Sequence, residues 1–175
     1  MDRGIVLSVD IDDCVCYKSP FQKLIQDHPE SVETQNKIRD TPEFHEQVSA
    51  GPIAPWVTGL LLNRLIRYAH SILVPTGRPE SMRYISEKWL MQIFPPGSFE
   101  IYVTEFTSLN AYLKQREAFI DDLVGYEIPV VYIDDSRRLY DYACFVGLNA
   151  IWIHDGYIQD MYFKLEKGKT LWNGL

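Results

Sequence analysis

The chain has 175 residues, 46% hydrophobic and 23% charged, with a net charge of −7. This length suits one domain with a single core, and these proportions exclude a disordered chain. No run approaches the ~20 apolar residues of a membrane span, and the acidic balance excludes the broad basic face of a long-duplex binder.

The first predicted element is residues 4–9, a short apolar run of the kind that forms a strand buried on both faces. It closes on Asp10, Asp12 and Asp13, too short and too acidic for a signal peptide, so the expected location is the cytoplasm. Residues 14–51 are polar, charged and helix-prone, and break the pattern of the rest. They read as a small helical cap inserted over the carboxyl end of the first strand. Cys14, Cys16 and the distant Cys144 are an odd set without a second pair, and the histidines show no ligand spacing, so neither disulfides nor zinc are expected.

Residues 55–70 carry Leu61, Leu62, Leu65, Ile66 and Ala69 at helical spacing. A second strand at 71–75 leads into Thr76-Gly77-Arg78. Pro79 then opens a helix through Met82, Ile85, Trp89 and Ile93, stopped by Pro95-Pro96-Gly97. A third strand spans 99–103, and Ser108 caps a helix through Tyr112, Leu113, Phe119, Ile120 and Leu123. The fourth strand, 129–133, runs into Asp134-Asp135-Ser136, with Ser136 capping a helix that ends at Gly147; a fifth strand follows at 150–153. The tail, 158–175, is amphipathic and ends in Leu171-Trp172, which suits docking on the body or on a partner. Such alternation predicts an α/β fold: a central parallel sheet of about five strands with helices on both faces. Residues 1–175 thus form a single Rossmann-like domain, with the cap at about 14–51.

Ligands of open α/β sheets bind beyond the carboxyl ends of the strands. There Asp10, Asp12, Asp134 and Asp135 come together, and such converging carboxylates repel one another unless a cation offsets them. Hard oxygen ligands suit Mg²⁺, which holds substrate phosphate in its shell. A carboxylate is a competent nucleophile toward phosphorus, and a second carboxyl two residues on can exchange the proton of the leaving oxygen. Thr76 and Gly77 are placed to hold phosphate oxygens near a helix start. A lysine is still needed, and Lys114 is the expected one in preference to Lys88, which sits mid-helix.

These residues resemble the haloacid dehalogenase-like (HAD) superfamily of phosphotransferases. The matching features are the strand ending in Asp10-Ile11-Asp12, the strand ending in Thr76, Lys114, and the acidic pair Asp134-Asp135 after a strand. The resemblance spans about residues 4–157. It implies a nucleophilic Asp10, an acid/base Asp12, phosphate contacts from Thr76 and Lys114, and Mg²⁺ held by Asp10, Asp12, Asp134 and Asp135. Within that superfamily the second half is similar to the 3′-phosphatase domain of phage polynucleotide kinase-phosphatases, through Thr76-Gly77-Arg78 and a helix with Trp89 in its middle. Where the family has Gly-Thr after the second Asp, this chain has Asp13-Cys14.

The expected substrate is therefore a phosphorylated small molecule or a nucleic-acid end, foremost a nucleotide or a polynucleotide 3′-phosphate. Gly77, Arg78 and Arg137 are the expected substrate contacts, with Arg83 and Arg138 as further cations. Tyr17, Trp56 or Tyr157 would offer stacking surface. A 5′-nucleotidase, a sugar-phosphate phosphatase, and a binding module with a silent site are the alternatives.

Overall fold

A computed structural model of the chain describes residues 4–28, 31–39, 41–104 and 108–163. The apolar runs form β1 (Ile5–Val9), β2 (Ala69–Thr76), β3 (Phe99–Val103), β4 (Val130–Asp134) and β5 (Asn149–His154). One strand more is present, β6 (Tyr157–Tyr162). The order in the sheet is β3-β2-β1-β4-β5-β6, parallel except for β6, which returns antiparallel to β5. This is the doubly wound Rossmann-like order that the alternation predicts. Residues 158–162, read as part of an amphipathic tail, lie in this edge strand, while Leu171 and Trp172 lie outside the described residues.

Alternate residues of the strands feed two cores. On one face Val6, Tyr132 and Ala150 meet α5 (Leu109–Val124) and α6 (Arg137–Phe145) through Leu113, Ile120, Leu123, Leu139 and Ala143. On the other, Leu7, Val9, Val74, Ile133 and Ile151 meet Leu61, Leu65, Trp89 and Leu90. Burial on both faces explains why the strands are continuously apolar rather than alternating. The Ser108 and Ser136 caps form as expected, accepting the Ala111 and Leu139 amides.

Residues 55–70 depart from expectation. The segment holds a π-turn at Val57–Leu61 and a 3-10 turn at Leu65–Tyr68, and β2 already begins at Ala69. Val57-Thr58-Gly59 is a weak helix former, and Asn63 Nδ2 takes the Thr58 carbonyl at 2.5 Å, competing with the helical ladder. The predicted helix after Pro79 likewise starts as a 3-10 turn, with α4 limited to Arg83–Leu90.

The insert is three short helices: α1 (Pro20–Asp27), α2 (Val32–Arg39) and α3 (Pro42–Ser49). Ser19 and Thr41 cap α1 and α3, each followed by proline at the first turn. Phe21, Leu24, Phe44 and Val48 form a small core of their own, closed by Met82 from the body. Both ends of the insert are held by indoles. Trp56 Nε1 donates to Cys14 O and Trp89 Nε1 to Gly51 O, each at 2.8 Å. Trp56 is thus a buried anchor and not the stacking surface expected of it. Among the described residues no helix is long and apolar enough to cross a membrane.

From β1 the chain winds one way, to β2 and β3, and then the other way, through β4 and β5. The switch point lies between β1 and β4, where such sheets leave a crevice. Val9 pairs with Ile133, so the next residues, Asp10 and Asp134, emerge side by side.

Candidate active site

Asp10 continues the ladder, its amide donating to Ile133 O at 3.0 Å. Its carboxylate faces a buried guanidinium: Arg116 Nη1 donates to Asp10 Oδ1 at 2.8 Å, and Nη2 to Asp134 Oδ2 at 2.5 Å. The same group reaches Tyr112 Oη at 3.3 Å and Tyr132 Oη at 3.1 Å. Asp134 is further fixed by the Tyr132 hydroxyl and by the Ser136 amide, so two strand ends and one helix are locked around a single cation.

Arg116 stands where the sequence reading put Lys114, and this is a correction. Lys114 is exposed, two residues earlier on α5. Residues two apart on a helix project to opposite sides, so only one of the pair can face the sheet. Leu113, Arg116, Ile120 and Leu123 are the buried stripe of α5. A charged residue at stripe spacing was the available signal.

Asp12 is engaged by another arginine. Arg78 Nη2 donates to Asp12 Oδ1 at 2.7 Å and Nε to Oδ2 at 3.0 Å, while Nη1 reaches Ser86 Oγ at 3.2 Å. The guanidinium also lies 5.1 Å from the ring centre of Phe21. Arg78 is therefore buried beneath the cap and holds Asp12 instead of substrate, contrary to expectation. The Ser19 hydroxyl donates to the same Asp12 oxygen, and the Ser19 amide donates to Asp13 Oδ1 at 2.8 Å. Two consecutive acids thus grip the start of α1. Asp13 stands where the resemblance places glycine, and its φ of 55° is the left-handed conformation glycine enters freely. Alanine there keeps the strain and loses the bond to Ser19; glycine loses only the bond. Asp13→Ala is expected to be less stable than Asp13→Gly by about 1–2 kcal/mol, read by urea unfolding.

Thr76 is buried, its hydroxyl accepting the Arg78 amide at 3.1 Å, and Gly77 is what reaches the cavity. Gly77 serves packing as much as backbone approach: a Cβ there would lie 3.0 Å from Tyr112 Cε2. Gly77→Ala is expected to cost about 1–3 kcal/mol and to lower activity by displacing the Tyr112 ring, measured by unfolding and by turnover. Arg137 is half exposed and paired with Asp141 at 2.9 Å, lying over Trp152, and it does not line the cavity. Arg83 and Arg138 are paired with Glu80 and Glu117. None of the arginines expected to meet substrate is placed to do so.

Asp10, Asp12, Gly77, Asp134 and Asp135 line one cavity of about 470 Å³, roofed by α1 and α2 of the insert. Burial holds the Asp10 carboxyl up at about 8; Arg116 opposes this, and Asp134 and Asp12 reinforce it. Asp135 is pushed well above the carboxylate range by burial, then by Asp134 and Asp10. The site carries more acid than its guanidinium balances, which is what a divalent cation relieves. Among the described residues no group of three or more His, Cys, Asp or Glu is arranged as a metal cage. Both carboxylate oxygens of Asp12 and of Asp134 accept protein donors, whereas Asp10 is engaged through Oδ1 alone, so of the expected four-carboxylate set Asp10 and Asp135 are the residues that could hold the ion. Mg²⁺ characteristically uses one or two carboxylates and completes its shell with water and substrate phosphate, so this donor set fits it.

No family model and no curated protein matches the chain. Among solved structures, YfnB of Bacillus subtilis, described as a HAD-hydrolase bound to magnesium, is 14% identical with a TM-score of 0.49, covering 86% of this chain and 89% of that one. A HAD family enzyme of Bacteroides thetaiotaomicron, solved as a magnesium complex, is 16% identical with a TM-score of 0.40, covering 89% and 94%. The strand order, not these likenesses, defines the fold described above.

Proposed function

We propose that this protein is a Mg²⁺-dependent phosphomonoester hydrolase of the HAD type that works through an aspartyl-phosphate on Asp10. The observation that carries the reading is the convergence of Asp10, Asp134 and Asp135 on one capped cavity at the switch point, with Arg116 buried behind Asp10 and Asp134. Arg116 engages Asp10 Oδ1 and leaves Oδ2 as the attacking atom. Asp12, paired with Arg78 as the carboxylate in the resting site, must take up a proton before this step; the bond from Oδ2 to phosphorus then forms as the ester P–O bond breaks, and the departing oxygen takes that proton. Asp12, now anionic, takes a proton from water, whose oxygen attacks phosphorus and releases phosphate and Asp10. Arg78 and Ser19 hold Asp12 in place for both steps. Mg²⁺, held by Asp10 and Asp135, would neutralise phosphoryl charge.

Nucleotides and nucleic-acid 3′ ends are the substrates that the sequence resemblance favours; 5′-nucleotides and sugar phosphates are the alternatives. The test is phosphate release by the full chain across these esters. Release is expected with Mg²⁺, to be lost in EDTA and restored by Mg²⁺. Undiminished release in EDTA would remove the metal from the reading; no release from any ester would remove the function.

A further inference from the structure

The floor of the cavity is acidic, and most of its wall is apolar. Phe21, Leu24 and Ile25 of α1 and Leu109 and Leu113 of α5 line it, with the amide of Gln35 and the guanidinium of Arg39 from α2 and His154 at the rim as the polar exceptions. Ile25 and Leu109 are large apolar side chains, 36% and 61% exposed, that border the same cavity from opposite elements. Phe21 packs edge-on against Phe44 at 5.0 Å, which backs that wall with the core of the insert. Gln35 Nε2 donates to His28 O at 2.7 Å, which commits its donor end to the cap.

A polyol entering here gives up water at each hydroxyl and meets carbon on most sides. A polymer needs a track of cations along its backbone. The arginines expected to supply one are paired with Asp12, Glu80, Asp141 and Glu117, and Arg39, which does line the cavity, is one cation and not a track. A volume of about 470 Å³ is that of a pocket for one small molecule.

We infer that the site takes compact phosphate monoesters whose alcohol carries an apolar or aromatic body, and that the facing walls from α1 and α5 select it. Mononucleotides belong to this class through the base; sugar phosphates and phosphorylated polymers do not. This rests on the phosphatase reading and narrows it.

The test compares esters of matched leaving-group basicity, using the full chain with Mg²⁺. Among phosphates of primary alcohols these are benzyl phosphate, a 5′-mononucleotide and glucose 6-phosphate. Among secondary ones they are a 3′-mononucleotide and a 3′-phosphorylated oligonucleotide. The expected result is kcat/KM about tenfold or more higher for the benzyl ester and mononucleotides than for the sugar ester and oligonucleotide. Equal or faster turnover of the sugar ester or the oligonucleotide overturns the inference and leaves the phosphatase reading standing. No release from any ester overturns both. Ile25→Asn and Leu109→Asn are each expected to raise KM for benzyl phosphate about tenfold while inhibition by orthophosphate keeps its constant. An unchanged KM in both variants removes the walls from recognition. A parallel loss of orthophosphate inhibition marks the variants as damaged at the floor and likewise counts against a wall-specific role.

Discussion

Asp10→Asn is expected to give a folded protein that no longer releases phosphate. The amide oxygen still accepts from Arg116 Nη1, and Asp134 still balances the guanidinium, so the buried constellation keeps its bonds. What disappears, on the proposed mechanism, is the nucleophile, together with one of the two carboxylates that would hold Mg²⁺. Loss of the attacking group in an enzyme that forms a covalent intermediate lowers kcat by roughly 10⁴-fold or more. Stability should hold or rise, because the asparagine relieves burial of a carboxyl beside Asp134 and Asp12. The paired measurement is phosphate release and thermal unfolding on one preparation. Undiminished activity with intact folding would falsify the assignment of Asp10.

The second large effect separates Arg116 from Lys114. Arg116→Ala leaves Asp10 and Asp134 buried and unpaired and deprives Tyr112 and Tyr132 of a donor. Removing one partner of a buried ion pair costs about 3–5 kcal/mol, which for a chain of this length is a fall in Tm of roughly 6–20 °C. Turnover should fall by at least about 10²-fold as the charge that orients Asp10 is lost. Arg116→Lys keeps the charge but offers three donors to the four oxygens now served, and should fall between alanine and wild type. Lys114→Ala touches an exposed side chain and should change stability by no more than about 0.5 kcal/mol while keeping activity. A reversed pair of results, with Lys114 essential and Arg116 dispensable, would return the site to the arrangement expected from sequence.

Much of this fold is written locally. Strands buried on both faces must be continuously apolar, so β1, β4 and β5 stand out; serine before a helical period announces α5 and α6. Asp10 and Asp134-Asp135 were visible because acids directly after such runs have no packing reason to be there. What escaped depends on partners distant in sequence. Arg78 and Asp12 are 66 residues apart, and nothing near either one foretells the pair. Arg116 was hidden by a sound habit: a charge on a helix is assigned to water, although its spacing from Leu113 and Ile120 placed it in the stripe. The β6 edge was legible after all. Asp155-Gly156, with φ of 51° and 76°, is the two-residue turn of a hairpin, and its exposed strand lacks the apolar run used to find the others.

The bond from Arg116 to Asp10 closes a loop of 106 residues, and β4 must arrive beside β1 to bring in Asp134. Contacts this remote are made late, since chain entropy opposes them until the rest of the sheet has assembled. Until then each of these charges is solvated and at ease; once β1 is covered, each is tolerable only in the company of the others. The centre and the sheet are therefore energetically coupled, since burying Asp10 without Arg116 and Asp134 in place would leave an uncompensated charge.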